Sequence, residues 1–127
     1  PMGTFHHNPL FHGSDVVFLA GGSGVAPAMS MIREIAYRGT DLTLHLIYGS
    51  RSVDDVIFAD ELDRLAAEHP GITVDHVIGD LITAGAITAL AGDLRGRMAY
   101  VCGPQVFYPY AAEQLAALGH PRRRTRF

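Results

Sequence analysis

The heptapeptide Gly21-Gly22-Ser23-Gly24-Val25-Ala26-Pro27 is the first place where this chain could do chemistry. Its glycines allow a tight turn and a close backbone approach to a ligand, and Pro27 suits a first helical turn, where its missing N–H costs nothing. Where such a loop joins a strand to a helix, free amides and the helix dipole together make a seat for a pyrophosphate or another anion. A plain strand-to-helix turn would use the same residues.

Other glycine-loop chemistries fail on single residues. A Walker loop needs Gly-Lys-Ser/Thr, and the chain has no lysine. The hydrolase nucleophile elbow needs Gly-x-Ser-x-Gly, but Val25 stands two places after Ser23. The ordinary dinucleotide fingerprint expects Gly or Ala at its sixth position and an acid closing the second strand. Ala26 meets the first condition; Tyr48-Gly49-Ser50-Arg51 lacks the acid.

A second candidate is Cys102, followed by Gly103, Pro104 and Gln105. As the chain's one cysteine it forms no internal disulfide, and its apolar run predicts burial. It reads either as a small buried hydrophobe or as a ligand contact, and no activating base can be assigned that would make it a nucleophile. His6, His7 and His12 lack a placed acid or cysteine to complete a ligand set, so no metal site is expected.

The elements around these residues alternate. Val16 to Ala20, Thr43 to Tyr48, Ile72 to Ile78 and Met98 to Cys102 read as strands, being short, apolar or β-branched runs. Between them Ala26 to Arg38 has a helical stripe of Ala28, Met31, Ile32, Ile35 and Ala36, with Gly39 as terminator. A second helix follows Asp54 and Asp55 and buries Phe58, Leu62, Leu65, Ala66 and His69; a short third spans Ile82 to Ala91; a fourth spans Gln105 to Leu118 and stops at Gly119. This order predicts an α/β fold: three layers, a parallel sheet of about five strands, and helices on both faces. Ligands in such sheets sit beyond the carboxyl ends of the strands, where the winding reverses. The segments after Ala20, Tyr48 and Cys102 meet that condition.

The chain has 127 residues, 48% of them apolar, which is enough for one domain with a real core. Its ten basic residues are all arginines, four of them at positions 122, 123, 124 and 126; residues 1–121 carry a net charge of −7. That surface repels phosphate backbones, so nucleic acid is not an expected partner. No apolar run has the length of a membrane span, no signal peptide is expected, and an unpaired cysteine fits a reducing, cytoplasmic setting.

Three motifs in order, the glycine loop ending in Pro27, the Tyr48-Gly49-Ser50-Arg51 turn and the Cys102-Gly103-Pro104 triplet, resemble the nicotinamide domain of the ferredoxin-NADP reductase superfamily, on its NADH-dependent oxygenase-reductase branch. The stretches MSMIRE, VDDVIFADELDRL and YVCGPQVFY carry the likeness along the chain, and the opening PMGTF is similar to the segment that closes the flavin domain in those enzymes. The resemblance implies that residues 1–12 are the tail of a flavin domain or a linker, and that 13–127 form the NAD(P)-binding domain. It further implies that Gly21, Gly22, Ser23, Gly24, Val25 and Pro27 hold the pyrophosphate. By the same likeness, Tyr48, Gly49, Ser50 and Arg51 border the adenosine ribose, and Cys102, Gly103, Pro104 and Gln105 lie beside the nicotinamide, with Cys102 positioning it near the reacting carbon.

The expected activity is then hydride transfer from NAD(P)H to FAD, followed by electron delivery to an iron-sulfur or haem partner. Arg51 could receive a 2′-phosphate or simply pair with Asp54 or Asp55, whereas Asp80 after the third strand would repel a phosphate, which favours NAD(H) over NADP(H). The FAD would belong to a domain outside this chain, so weak dinucleotide binding and little catalysis are expected of these residues alone. The arginine cluster reads as a solvated tail or as help in docking a redox partner. Two alternatives remain at this level: a non-catalytic dinucleotide sensor, and a receiver-like interaction domain. The receiver lacks its paired acids, since Ala20 and Gly21 stand where they belong.

Overall fold

The computed structural model describes residues 15–39 and 41–127. Five parallel strands form one sheet in the order β3-β2-β1-β4-β5: β1 (Asp15–Gly21), β2 (Thr43–Ser50), β3 (Ile72–Ile78), β4 (Met98–Cys102) and β5 (Thr125–Arg126). The helices are α1 (Ala26–Arg38), α2 (Ala59–Glu68), α3 (Ala84–Ala91) and α4 (Phe107–Ala117).

Alternation along the central strands separates two cores, because successive side chains point to opposite faces. Val16, Phe18 and Ala20 of β1, with Leu44, Leu46 and Tyr48 of β2, pack against Met29, Ile32, Leu62 and Leu65 of α1 and α2. Val17, Leu19, Ile47, Ala99 and Val101 face Ile87, Ala111 and Leu115 of α3 and α4 on the other side. The three layers and the two covered faces are those expected. Chain winding reverses between β1 and β4, where the connection after β3 crosses to the second face.

Bounds expected for α1, β3 and β4 agree with those found, and Gly39, at φ 65°, returns its N–H to the Ile35 carbonyl. Other elements differ for local reasons. The third helix begins at Ala84 rather than Ile82 because the Thr83 hydroxyl accepts from Ala86 N at 3.0 Å, while Ile82 is buried ahead of it. The last begins at Phe107 rather than Gln105, since the Phe107 N–H is taken by the Pro104 carbonyl in a preceding turn. The two-residue strand β5, which no apolar run announces, pairs Ala99 with Thr125 and Tyr100 with Arg126.

Phe58 was expected in the buried stripe of α2. Instead it precedes the helix at φ 61°, in the left-handed region, with 39% of its surface exposed. Its ring lies beneath the Arg33 guanidinium, 5.3 Å from the centroid, while Arg33 donates to both carboxylate oxygens of Glu61 at 2.9 and 2.7 Å. His69 is half-buried and stands beyond the helix end. The carboxylates of the first turn are Asp60 and Glu61, whereas Asp54 and Asp55 belong to a separate 3₁₀ turn.

The Arg33–Glu61 pair ties α1 to α2. The hydrogen bonds from Arg33 hold the Glu61 carboxyl below its ordinary value of 4.5. Its stabilisation is complete above that value and is lost as pH falls through the lowered folded one. Glu61→Gln is therefore expected to lower Tm near neutral pH, with the gap from wild type closing in acid and narrowing with salt, as thermal melts across pH would show.

Candidate functional site

Strand register gathers the three motifs. Ala20 of β1 lies level with Tyr48 of β2 on one side and with Cys102 of β4 on the other, and Gly21 lies level with Gly49. The segments that follow, Gly22 to Val25, Arg51 to Ser52 and Gly103 to Gln105, therefore leave the sheet side by side at its carboxyl edge, across the point where the winding reverses.

Gly21 ends β1, and Gly22–Val25 form a 3₁₀ turn that runs directly into α1, with Pro27 in its first turn. Neither the turn nor the helix has a side-chain cap at its amino end. The amides there that lack an intrahelical partner, together with the positive end of the dipole, can accept an anion. Gly22 and Ser23 are exposed, and Val25 is buried beneath them.

The loop rests directly on the end of β4. A Cβ built on Gly24 would stand 2.5 Å from the Cys102 carbonyl oxygen, 2.6 Å from its carbon and 2.6 Å from Gly103 Cα. Only a residue without a side chain permits this contact of backbone on backbone. The glycine loop and the Cys102-Gly103 peptide thus form one continuous surface, short enough for a single extended ligand to touch both.

Tyr48 supports the loop from below. Its side chain is fully buried, its hydroxyl donates to the Gly22 carbonyl at 3.0 Å, and it accepts from the Ile57 N–H at 3.1 Å. Any effect of Tyr48 on a bound ribose would pass through the backbone it holds. Gly49 is half-buried under Ile82, whose Cδ1 would lie 3.2 Å from a Cβ there. Ser50 is 7% exposed, and its hydroxyl has no hydrogen-bond partner among the described residues.

Arg51 is exposed and makes no ion pair among the described residues; Asp55 instead accepts from the Ser52 hydroxyl at 3.1 Å. The turn after β3 closes on the same corner. Gly79 donates to the Ser50 carbonyl at 2.8 Å, a Cβ on it would be 3.5 Å from the Arg51 carbonyl oxygen, and exposed Asp80 comes next. Cys102 is 7% exposed; Pro104 and Gln105 are exposed beyond it.

Two residues of this corner escaped the sequence reading. The Phe107 ring packs where a Cβ on Gly103 would stand, at 2.7 Å, and near Gly21, at 3.5 Å. The Tyr108 hydroxyl donates to Cys102 Sγ at 3.7 Å and accepts from the Gly103 N–H at 3.4 Å. Burial, and then the bond to the thiol, push the Tyr108 phenol above its ordinary value. Their position just after the Cys-Gly-Pro triplet was the available signal, but an aromatic pair opening a helix reads first as core.

At the opposite end of the sheet a cleft of about 650 Å³ is lined by Arg95, Arg123, Arg124, His120 and Asp93. It lies beside the carboxyl ends of α3 and α4, at Gly92 and Leu118, and Arg95 within it pairs with Asp93 at 3.1 Å. Among the described residues, no group of three or more His, Cys, Asp or Glu side chains could hold a metal, and no helix is long and apolar enough to cross a membrane. The histidines at 6, 7 and 12 and the proposed tail at 1–12 lie outside the described residues.

The family model described as the oxidoreductase NAD-binding domain matches residues 18–113, from β1 into α4. The chain belongs to that family. This NAD-binding domain is 39% identical, over 95% of its length, to the ferredoxin reductase component of 3-ketosteroid-9-alpha-monooxygenase from Mycolicibacterium smegmatis, and covers 35% of that protein. It is 30% identical to a flavohemoprotein of Rhodopirellula baltica, with all of the chain matched and 35% of the relative covered. The chain thus spans about a third of the curated relatives it matches.

The fold recurs in solved structures. The CS-b5R domains of human Ncb5or in the NAD+ form superpose with a TM-score of 0.81 at 20% identity, covering 99% of this chain and 39% of that one. The Amycolatopsis cytochrome P450 reductase GcoB gives 0.80 at 24% identity, over 99% of this chain and 41% of that one.

Two stability measurements test the site's construction. Tyr48→Phe leaves the Gly22 carbonyl and the Ile57 N–H without their buried partner and is expected to cost about 1–3 kcal/mol in urea unfolding. Gly24→Ala should destabilise more than Gly22→Ala. The first drives a Cβ into the β4 backbone; the second has open space around its Cβ and meets only the cost of φ 56°, about 1–2 kcal/mol.

Proposed function

We propose that this domain binds NADH across the carboxyl edge of the sheet, with the pyrophosphate on Gly21 to Val25 and Pro27 and the nicotinamide beside Cys102, Gly103, Pro104 and Gln105. In the complete enzyme it would present the nicotinamide to an FAD held by a neighbouring domain, with electrons passing on to an iron-sulfur or haem protein. The contact of Gly24 with the Cys102-Gly103 peptide carries this reading, because it joins the anion seat and the end of β4 in one surface. The relatives named as a ferredoxin reductase component and a flavohemoprotein support the choice of partners.

The residues fit the dinucleotide by what they leave out. A side chain at position 24 would separate the loop from β4, and a charged group capping α1 would compete with a phosphate. When bound, the nicotinamide supplies a hydride to the flavin. The protein contributes orientation: amides hold the diphosphate, Tyr48 stiffens the loop under it, and the buried thiol sets one wall of the nicotinamide pocket. Hydride transfer by this arrangement needs no acid–base pair from the chain.

Ser50, Arg51 and Asp80 meet at the adenosine end, where the Asp80 carboxylate disfavours a 2′-phosphate; this is the reason to favour NADH over NADPH. The buried cysteine, free of any disulfide, accords with a reducing, cytoplasmic location.

Calorimetric titration of both cofactors into the chain is the test. NADH should bind weakly and NADPH more weakly, and Asp80→Ser should narrow the gap by roughly three- to tenfold, the effect of removing one nearby like charge at a solvent-exposed corner. Failure of both cofactors to bind at millimolar concentration would overturn the ligand assignment, and an unchanged gap in the variant would overturn the role of Asp80.

A further inference from the structure

We infer that Tyr108 is a positioning residue, holding the Cys102 thiol and the Cys102-Gly103 peptide in the orientation the nicotinamide would meet. The inference rests on the nicotinamide placement proposed above and adds to it the residue that fixes its wall.

Tyr108 is the second residue of α4 and reaches back over the end of β4. Its hydroxyl takes the Gly103 N–H at 3.4 Å and gives its own proton to Cys102 Sγ at 3.7 Å, so it bonds on both sides of the peptide that Gly24 touches. That peptide is therefore pinned between the glycine loop and a phenol. The phenol itself is braced: the Phe127 ring meets it edge-on, with centroids 6.0 Å apart and planes at 71°. Phe107, one residue earlier, packs against Gly103 and Gly21 and keeps the start of α4 seated on both strands.

This geometry assigns the thiol a mechanical duty. A sulfur that accepts a hydrogen bond from a braced donor has its rotamer chosen for it, and a soft, polarisable group of fixed position is a suitable wall for an apolar ring. Burial and the thiol bond raise the Tyr108 phenol, so it remains a protonated donor across the neutral range. Phenylalanine at this position would keep the ring packing, free the sulfur and leave the Gly103 N–H without its partner.

Cys102 is the chain's one cysteine, so alkylation by iodoacetamide reports on that thiol alone. In Tyr108→Phe the alkylation rate at fixed pH is expected to rise about three- to tenfold, the equivalent of one lost hydrogen bond. NADH affinity should fall by a similar factor. Because loosened packing could also speed alkylation, a second measurement follows the Tyr108 ring Cζ resonance across pH in wild type and Cys102→Ala. Loss of the thiol bond should move the Tyr108 titration part of the way down toward ordinary tyrosine, and Cys102→Ser, which keeps a polar acceptor beside the phenol, should restore it, a rescue that a change of burial alone would not produce.

Equal alkylation rates in wild type and Tyr108→Phe, or a Tyr108 titration indifferent to Cys102→Ala, would overturn the inference. The nicotinamide placement has its own check: NADH should protect the wild-type thiol from iodoacetamide. Faster alkylation in Tyr108→Phe without protection by NADH in wild type would overturn that placement, and with it the cofactor role of Tyr108, while the tyrosine–thiol contact stood.

Discussion

The candidate site of this domain depends on one backbone contact, that of Gly24 with the Cys102-Gly103 peptide. Two strands that are distant in sequence end at the same level, and the loop leaving one lies against the loop leaving the other with no side chain between them. Much of the corner serves that contact. Tyr48 holds Gly22 from beneath, Phe107 packs against Gly21 and Gly103 together, and Tyr108 bonds the far side of the same peptide.

The two faces of the sheet divide the work. The α1–α2 side is a dense apolar layer whose largest buried members, Phe18, Tyr48 and Tyr100, come from three adjacent strands. It anchors α1, whose amino end points at the site. The α3–α4 side is smaller and supplies the aromatic start of α4 that leans on β4. A parallel sheet covered in this way exposes its strand ends as the one place where backbone groups from several elements converge, so ligand chemistry collects there.

Charge follows the same division. Arg51 and Asp80 stand exposed at the carboxyl edge without partners among the described ion pairs, Asp80 accepting from the Leu81 N–H at 2.9 Å, whereas Arg97 is committed to Asp15 at 3.2 Å and to the Ala91 carbonyl at 3.1 Å near the opposite edge. Arg123 and Arg124 lie beside helix carboxyl ends. Arg97 thus serves stability at one end, while Arg51 stands exposed at the other.

Alternating runs and stripes were enough to specify β1 to β4, the α/β class and the glycine loop, since each of these is decided by neighbours within a few residues. The motif order was equally legible, because Gly21–Pro27, Tyr48–Arg51 and Cys102–Pro104 carry their spacing in the chain. Phe58 was misplaced because the chain takes a left-handed turn at it before α2, and its half-exposed ring is partnered by Arg33, 25 residues away. Strand β5 has no apolar signature, and its pairing exists only because β4 presents an open edge. The duties of Phe107 and Tyr108 likewise depend on α4 turning back over β4. Sequence alone therefore determined which segments are ordered and what they resemble. Tertiary structure decided which groups meet, because a contact between residues 24 and 102 is set by strand register and not by any local preference.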